Sequence, residues 1–325
     1  MGKIKLNNKG AALIIAILMM SIIVVMTLYF NKSMKTELYS AVNAKDSIML
    51  GYIAKSGYNF ALAILQEDDE NIDSLNDSWA MIKAYSSLSE KLFNEGRFLV
   101  DITDLSGKIQ INSLVKQDGA YNIKQKAILI RLLTSDTFNM EEEAAIEILN
   151  NIKDWIDRDE ESTGFGSENT YYESLDTPYS CRNGPLKSIG EMASIKGISE
   201  GLLFGTTDNP GLVNFITVYG DGSGKININT AGREIIMALS DNLDNEMVDD
   251  ILDYRMDEDN DLGDTLWFKD ALGTEENVID PLIITVKSSF FEIKSIGSRA
   301  SSTKELRIVI KRNYNNFLTL SWEII

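Results

Sequence analysis

The sequence predicts an α+β protein. A long amino-terminal helix, membrane-spanning in its first half, packs on an antiparallel β-sheet head, and a large, mainly α-helical domain is inserted into that head. Three observations predict this. Residues 11–30 carry no formal charge, and about 20 apolar residues match the roughly 30 Å hydrocarbon core of a bilayer. Apolar residues then recur at steps of three and four as far as Leu65, with no proline before Pro178. The carboxyl end instead alternates or is β-branched over residues 283–286, 290–296, 305–311 and 318–324.

One helix over residues 11–65 follows from the first two observations. Gly51 and Gly57 permit a bend, at about 1 kcal/mol each relative to Ala. Residues 66–76 are acidic and turn-rich and read as a solvated loop, ending at Asp77-Ser78-Trp79-Ala80. Strands are predicted at 97–102 and 108–112, around the turn Asp104-Leu105-Ser106-Gly107. Helices are predicted at 122–133 and 140–156, the second capped by Asn139. An irregular segment, 158–183, leads to a short helix pair or turn at 186–198 and a strand at 213–219. Residues 230–255 read as two helices, capped by Thr230 and by Asp244 or Asn245.

Ser106-Gly107-Lys108-Ile109-Gln110-Ile111-Asn112 is nearly repeated as Ser223-Gly224-Lys225-Ile226-Asn227-Ile228-Asn229. Such turns are common. The sharper reading is two related entries into one sheet, separated by a helical unit at 116–211.

Charge and composition exclude several functions. The 325 residues carry a net charge of −18, which disfavours nucleic acid, whose phosphates are bound mainly by Lys and Arg. There is no histidine and one cysteine, Cys181. A Ser-His-Asp or Cys-His site is thereby excluded, as is an intramolecular disulfide. Without a histidine to activate it, Cys181 reads as an incidental small residue.

Three readings compete for the amino terminus, where Lys3, Lys5 and Lys9 precede the apolar run. A secretory signal would have a shorter run and a small-residue cleavage site beyond it. A plain signal anchor fits the length and keeps the lysines inside, although Lys32 and Lys35 weaken the bias. Third, Lys9-Gly10-Ala11-Ala12-Leu13-Ile14 resembles a prepilin leader cut after Gly10. Most pilins carry Glu at the fifth residue after the cut, where this chain has Ile15.

The most informative run is Asp154-Trp155-Ile156-Asp157-Arg158-Asp159-Glu160-Glu161, followed by Gly164, Gly166, Glu168, Tyr171 and Tyr172. Asp154 and Asp157 fall on one side of a helix end. Asp159, Glu160 and Glu168 lie on a glycine-containing segment able to fold back. Hard cations such as Ca²⁺ take six to eight oxygen ligands, and this pattern supplies oxygens without an EF-hand register. A solvated acidic loop is the competing reading. A second acidic loop, at Asp257, Glu258, Asp259, Asp261 and Asp264, reads as solvated. Residues 226–231 and 251–255 resemble a helix-hairpin-helix, but the intervening hairpin has no Gly and two acids, so a structural helix pair is expected.

These segments, with Pro178-Tyr179, Asn183-x-Pro185-Leu186, Ile189-x-Glu191 and Ile228-Asn229-Thr230-Ala231, resemble in order the GspK family of minor pseudopilins of type II secretion. The likeness runs from Ala11 to about residue 312. It implies a pilin-type spine helix at 11–65 behind a leader at 1–10, an α+β head at 66–115 and 212–325, and the insert at 116–211. Cleavage after Gly10 by a prepilin peptidase and amine methylation at Ala11 are implied. So is Ca²⁺ bound in the acidic loop, with Asp154, Asp157, Asp159, Glu160 and Glu168 as candidate ligands. The implied setting is the inner membrane, with the head in the periplasm. The implied role is a non-catalytic place at the pseudopilus tip, among other minor pseudopilins and in reach of secreted substrates. Ile15 fits the tip, where no subunit above supplies an amine for a buried Glu. The alternatives are a type IV pilus minor pilin and a membrane-anchored DNA-uptake module.

Overall fold

The computed structural model describes residues 9–313 and 316–325. Lys3 and Lys5, part of the expected leader, lie outside the described residues. Helix α1 (Lys9–Glu67) is one uninterrupted helix. Its residues 10–45 are exposed, and over its last turns it is buried through Leu50, Ile53, Ala54, Tyr58, Ala61 and Leu65. That spacing places one stripe of the helix against a sheet. A short helix α2 (Ile82–Ser86) follows, and then strand β1 (Arg97–Asp104).

The chain next builds a helical unit. It contains β2 (Ile109–Gln110), α3 (Ile123–Thr134), α4 (Glu142–Ile156), α5 (Asn169–Glu173), α6 (Glu200–Phe204), β3 (Ile216–Thr217) and β4 (Ile226–Asn227). Helices α7 (Arg233–Ala238), α8 (Asn245–Met256) and α9 (Phe268–Leu272) and strand β5 (Ile284–Thr285) complete it. Strands β6 (Phe290–Arg299), β7 (Ser302–Asn313) and β8 (Asn316–Ile324) finish the chain.

The main sheet has the order β1-β6-β7-β8 and is antiparallel throughout. Val100 faces Ser295 and Ile102 faces Ile293 across the first pair. The whole stretch between Asp104 and Phe290 is therefore inserted between two neighbouring strands. Two cores result. One joins α1 to the sheet through Ile53, Tyr58, Trp79, Val100, Phe291, Ile293 and Ile308. The other runs from Ile109 through Leu132, Leu149, Ile226 and Phe268 to Val286. The helical core thus continues past Gly211.

Gly57 does not bend α1; it lets the helix approach the sheet. A Cβ there would lie 2.8 Å from Val100 Cγ2 and 3.1 Å from Phe98 Cβ. Gly297 answers from β6, where a Cβ would lie 2.6 Å from Leu50 O. Ser295 Oγ donates to Ala54 O at 2.7 Å in the same contact.

The two Ser-Gly-Lys repeats do not enter one sheet. β2 pairs with β3 and β4 pairs with β5, each in parallel, as separate two-stranded pairs. Asn227 N donates to Ser106 O at 2.8 Å and holds the two repeats side by side. The final asparagines explain why each strand stops. Asn112 Nδ2 donates to Leu186 O and Val218 O, while Asn229 Nδ2 donates to Leu262 O and its Oδ1 accepts from Trp267 Nε1. These side chains tie distant loops together rather than continuing a ladder. The chain after β2 accordingly turns into a 3₁₀ segment, Ile111–Leu114. The strand expected at 213–219 likewise shrinks to β3 behind a 3₁₀ turn at Leu212–Asn214.

Two expected caps are also replaced. Asn139 takes a left-handed conformation (φ 46°) in the turn before α4, whose cap is Glu141. Thr230 points its hydroxyl at Asp104 Oδ2, 2.5 Å away, and α7 begins after Gly232. Asp244 caps α8 by accepting from Met247 N at 2.9 Å.

Candidate metal centre

Helix α4 ends where its sequence changes from apolar to acidic. Trp155 anchors that end, buried edge-on against Tyr172 with ring centroids 5.0 Å apart. Its indole N–H donates to Glu191 Oε1 at 3.2 Å. With Trp155 fixed inward, Asp154 and Asp157 are carried into the interior on either side of it. They are 0 % and 2 % exposed. Segment 158–168 then folds back and delivers Glu168, 4 % exposed, immediately before α5.

One carboxylate oxygen from each of Asp154, Asp157 and Glu168 lies within 4.8 Å of the others. Thr163 N donates to both oxygens of Asp154 at 3.1 Å. Gly166 is required by this return, because a Cβ there would run into Asp154 Oδ2. Gly164, with φ +61°, makes the turn that precedes it.

Neither carboxylate oxygen of Glu168 has a hydrogen-bond donor, nor has Asp157 Oδ1. Buried polar atoms are ordinarily paired, and an unpaired buried charge is expensive. Burial, and then the charges of Asp154, Asp157, Glu160 and Asp159, push the Glu168 carboxyl up to about 7. Burial likewise raises Asp154 and Asp157. Three clustered buried acids, two of them (Asp157 and Glu168) with orphaned oxygens, fit a bound metal ion. Such an ion would clip the return segment to α4 and relieve the repulsion among the carboxylates. A cleft of about 900 Å³, lined in part by Asp118, Asp157, Asp159 and Asp221, adjoins the cluster at Asp157.

The other two candidates stand apart from this cluster. Asp159 is exposed and accepts from Glu161 N at 2.9 Å. Glu160 is exposed, and its Oε1 accepts from Asn169 Nδ2 at 2.7 Å and Asn183 Nδ2 at 2.8 Å. Sequence reasoning missed Lys153, whose ammonium pairs with Asp157 Oδ2 and donates to Thr163 Oγ1 at 2.8 Å. The i, i+4 spacing of Lys153 and Asp157 was the available signal.

A second trio, Asp68, Asp73 and Asp77, also has oxygens within 4.8 Å of one another. It lies in the loop expected to be solvated, yet Asp73 is fully buried. Arg312 supplies its counter-charge, 2.9 Å from Asp68 and 2.5 Å from Asp73. This trio is an ion-pair node joining the loop to β7. Asp257, Glu258, Asp259, Asp261 and Asp264 are exposed, as a solvated loop would be. Cys181 is buried with its Sγ 3.5 Å from Asp154 O, and burial pushes its thiol up to about 12, so no thiolate is available. Between α7 and α8, Arg131 Nε and NH2 donate to Ala238 O and Leu239 O, which ties the hairpin to α3.

The spine helix on a four-stranded antiparallel sheet, with an inserted helical unit, is a pilin-type fold. The family model for "Type II secretion system (T2SS), protein K" matches residues 107–204. The chain is 24% identical to the type II secretion system protein K of Aeromonas hydrophila, over 96% of this chain and 95% of that one. It is 25% identical to the protein K of Pseudomonas aeruginosa, over 77% and 73% of the two chains. Its fold is similar to a chain in the crystal structure of the GspK-GspI-GspJ complex of the enterotoxigenic Escherichia coli type 2 secretion system. The TM-score there is 0.63 at 19% identity, over 87% of this chain and 98% of that one. The chain is thus similar to the type II secretion system proteins K along most of its length, and to their family model over residues 107–204.

Proposed function

We propose that the protein is a minor pseudopilin that joins other minor pseudopilins at the tip of the type II secretion pseudopilus, initiating or capping the fibre in support of protein export. The observation that carries this reading is the end-to-end likeness to a protein K, across 96% of the chain. The protein acts as a structural subunit and not as an enzyme. Its physical parts suit that role. α1 has one segment long and apolar enough to cross a membrane, and that segment is not packed on the head. Such a helix can leave a bilayer only by gaining helical neighbours, which a pilus core would provide. The bulky unit between β1 and β6 disfavours addition of a subunit above it.

The finer parts of the reading are these. Prepilin peptidase cuts after Gly10, and the new Ala11 amine is methylated. The spine occupies 11–65, with 11–30 in the inner membrane. The head and the unit inserted between β1 and β6 lie in the periplasm, where they meet partners and secreted substrates. The cation is Ca²⁺, because the donors are all carboxylate or loop oxygens. Asp154, Asp157 and Glu168 are its nearest ligands, with Asp159 and Glu160 as further candidates.

The test is export in a strain lacking this gene, complemented with the full chain, together with co-purification of the other minor pseudopilins of the same system. Restored export and a stable complex are expected. Unchanged export on deletion, with no co-purifying pseudopilin, overturns the reading. A defect confined to pilus-dependent motility or DNA uptake points to the type IV alternatives.

A further inference from the structure

We infer that Lys153 is a built-in competitor for the cation at Asp154, Asp157 and Glu168, and that it sets how tightly this site binds metal. The inference rests on the metal reading above. Lys153 lies one turn before Asp157 on α4, so its ammonium reaches the carboxylate that the cation needs. The pair is withdrawn from water, with side chains 11 % and 0 % exposed. Among the three buried acids, only Asp157 has a side-chain cation; Asp157 Oδ1 and both Glu168 oxygens have no donor at all.

An entering cation has two routes. It can take Asp157 away from Lys153, which means separating an ion pair that water hardly screens. Or it can bind the free oxygens and remain beside an ammonium, which places like charges a few ångströms apart. Both routes weaken binding. The displaced ammonium would still have company. Thr163 Oγ1 is 2.8 Å from Nζ, and the centroid of the Tyr121 ring is 5.8 Å away. Without metal, Lys153 bridges Asp157 on α4 and Thr163 on the return segment. It thereby holds a partial form of the site together.

The experiment is a calorimetric titration of Ca²⁺ into the metal-stripped full-length chain in detergent micelles, with thermal unfolding measured in parallel. Wild type, Lys153→Met, Lys153→Gln and Lys153→Arg are compared. The neutral variants are expected to bind about 10- to 100-fold more tightly, the range over which outer-shell partners alter metal affinity. Metal-stripped Lys153→Met is expected to unfold at a lower temperature than stripped wild type, with Ca²⁺ closing the gap. Lys153→Arg, which keeps the charge, should bind as wild type does. Equal or weaker binding by both neutral variants overturns the role of Lys153 and leaves the metal reading standing. No binding by wild type or either neutral variant overturns both.

Discussion

Trp155 Nε1 and Arg182 NH1 converge on the same oxygen, Glu191 Oε1, at 3.2 and 2.9 Å. Trp155 lies beside the acidic cluster on α4, whereas Glu191 belongs to a 3₁₀ segment, Ile189–Ser194, far along the chain. Glu191 Oε2 also accepts from Lys187 N at 3.1 Å. One carboxylate therefore fixes the indole that orients Asp154 and Asp157.

Glu191→Ala should leave a buried indole N–H unpaired and destabilise the protein by about 1–3 kcal/mol. Glu191→Gln keeps an acceptor for Trp155 and loses the charge opposite Arg182, so it should cost less. Urea midpoints of the two variants check the order, and an Ala variant as stable as wild type would contradict it.

Gly57→Ala pits two effects against each other. Helix propensity favours Ala by about 1 kcal/mol. The added Cβ, however, collides with Ser295 Oγ and lies 2.8 Å from Val100 Cγ2. Overpacking of this kind costs about 1–3 kcal/mol, so a net loss of stability is expected. Thermal unfolding reads it, with Gly51→Ala as the control, since the nearest atom to its Cβ is the flexible Lys304 Nζ at 3.7 Å.

The node around Arg312 predicts a pH dependence. Asp68 and Asp73 pair with a single guanidinium, and Asp104 acts on Asp73 as a neighbouring charge. Burial pushes Asp73 from its ordinary 3.8 to about 7; Arg312 and Ser288 N pull it down, and Asp104 pushes it up. Burial also raises Asp104, which has hydroxyl and amide donors and, among the described residues, no cation paired with it. The folded chain thus holds a proton that the unfolded chain releases near 3.8. Stability from this source is full below that value and is lost as pH rises through about 7. Asp104→Asn removes the neighbouring charge and should make the decline shallower. Denaturant midpoints on either side of pH 7 test this, and an unchanged slope would refute the coupling.

Cleavage of the leader gives the fourth prediction. The mature chain should begin at Ala11, with a methylated amine, by mass spectrometry of the purified protein. Gly10→Leu should block processing and leave Met1 at the terminus. A wild-type protein that retains Met1 would return residues 11–30 to the status of a permanent anchor.

The sequence by itself determined the parts that depend on local pattern. An uncharged run followed by three- and four-residue steps specified α1, and alternation specified β6, β7 and β8, because helix and strand periodicities are properties of neighbouring residues. The acidic run also placed Asp154 and Asp157 together, since they share a helix end. Only the tertiary structure decided which acids act with them. Glu168 enters the interior while Asp159 and Glu160 remain outside, a choice made by the return of segment 158–168 over Gly166. The same holds for Gly57, which reads as a hinge in one dimension and proves to be a contact with Phe98 and Val100. Arg312 was likewise silent, because its partners Asp68 and Asp73 lie some 240 residues away. Periodicity carries information about a residue's own face; burial, charge pairing and close approach depend on what the rest of the chain brings to that face.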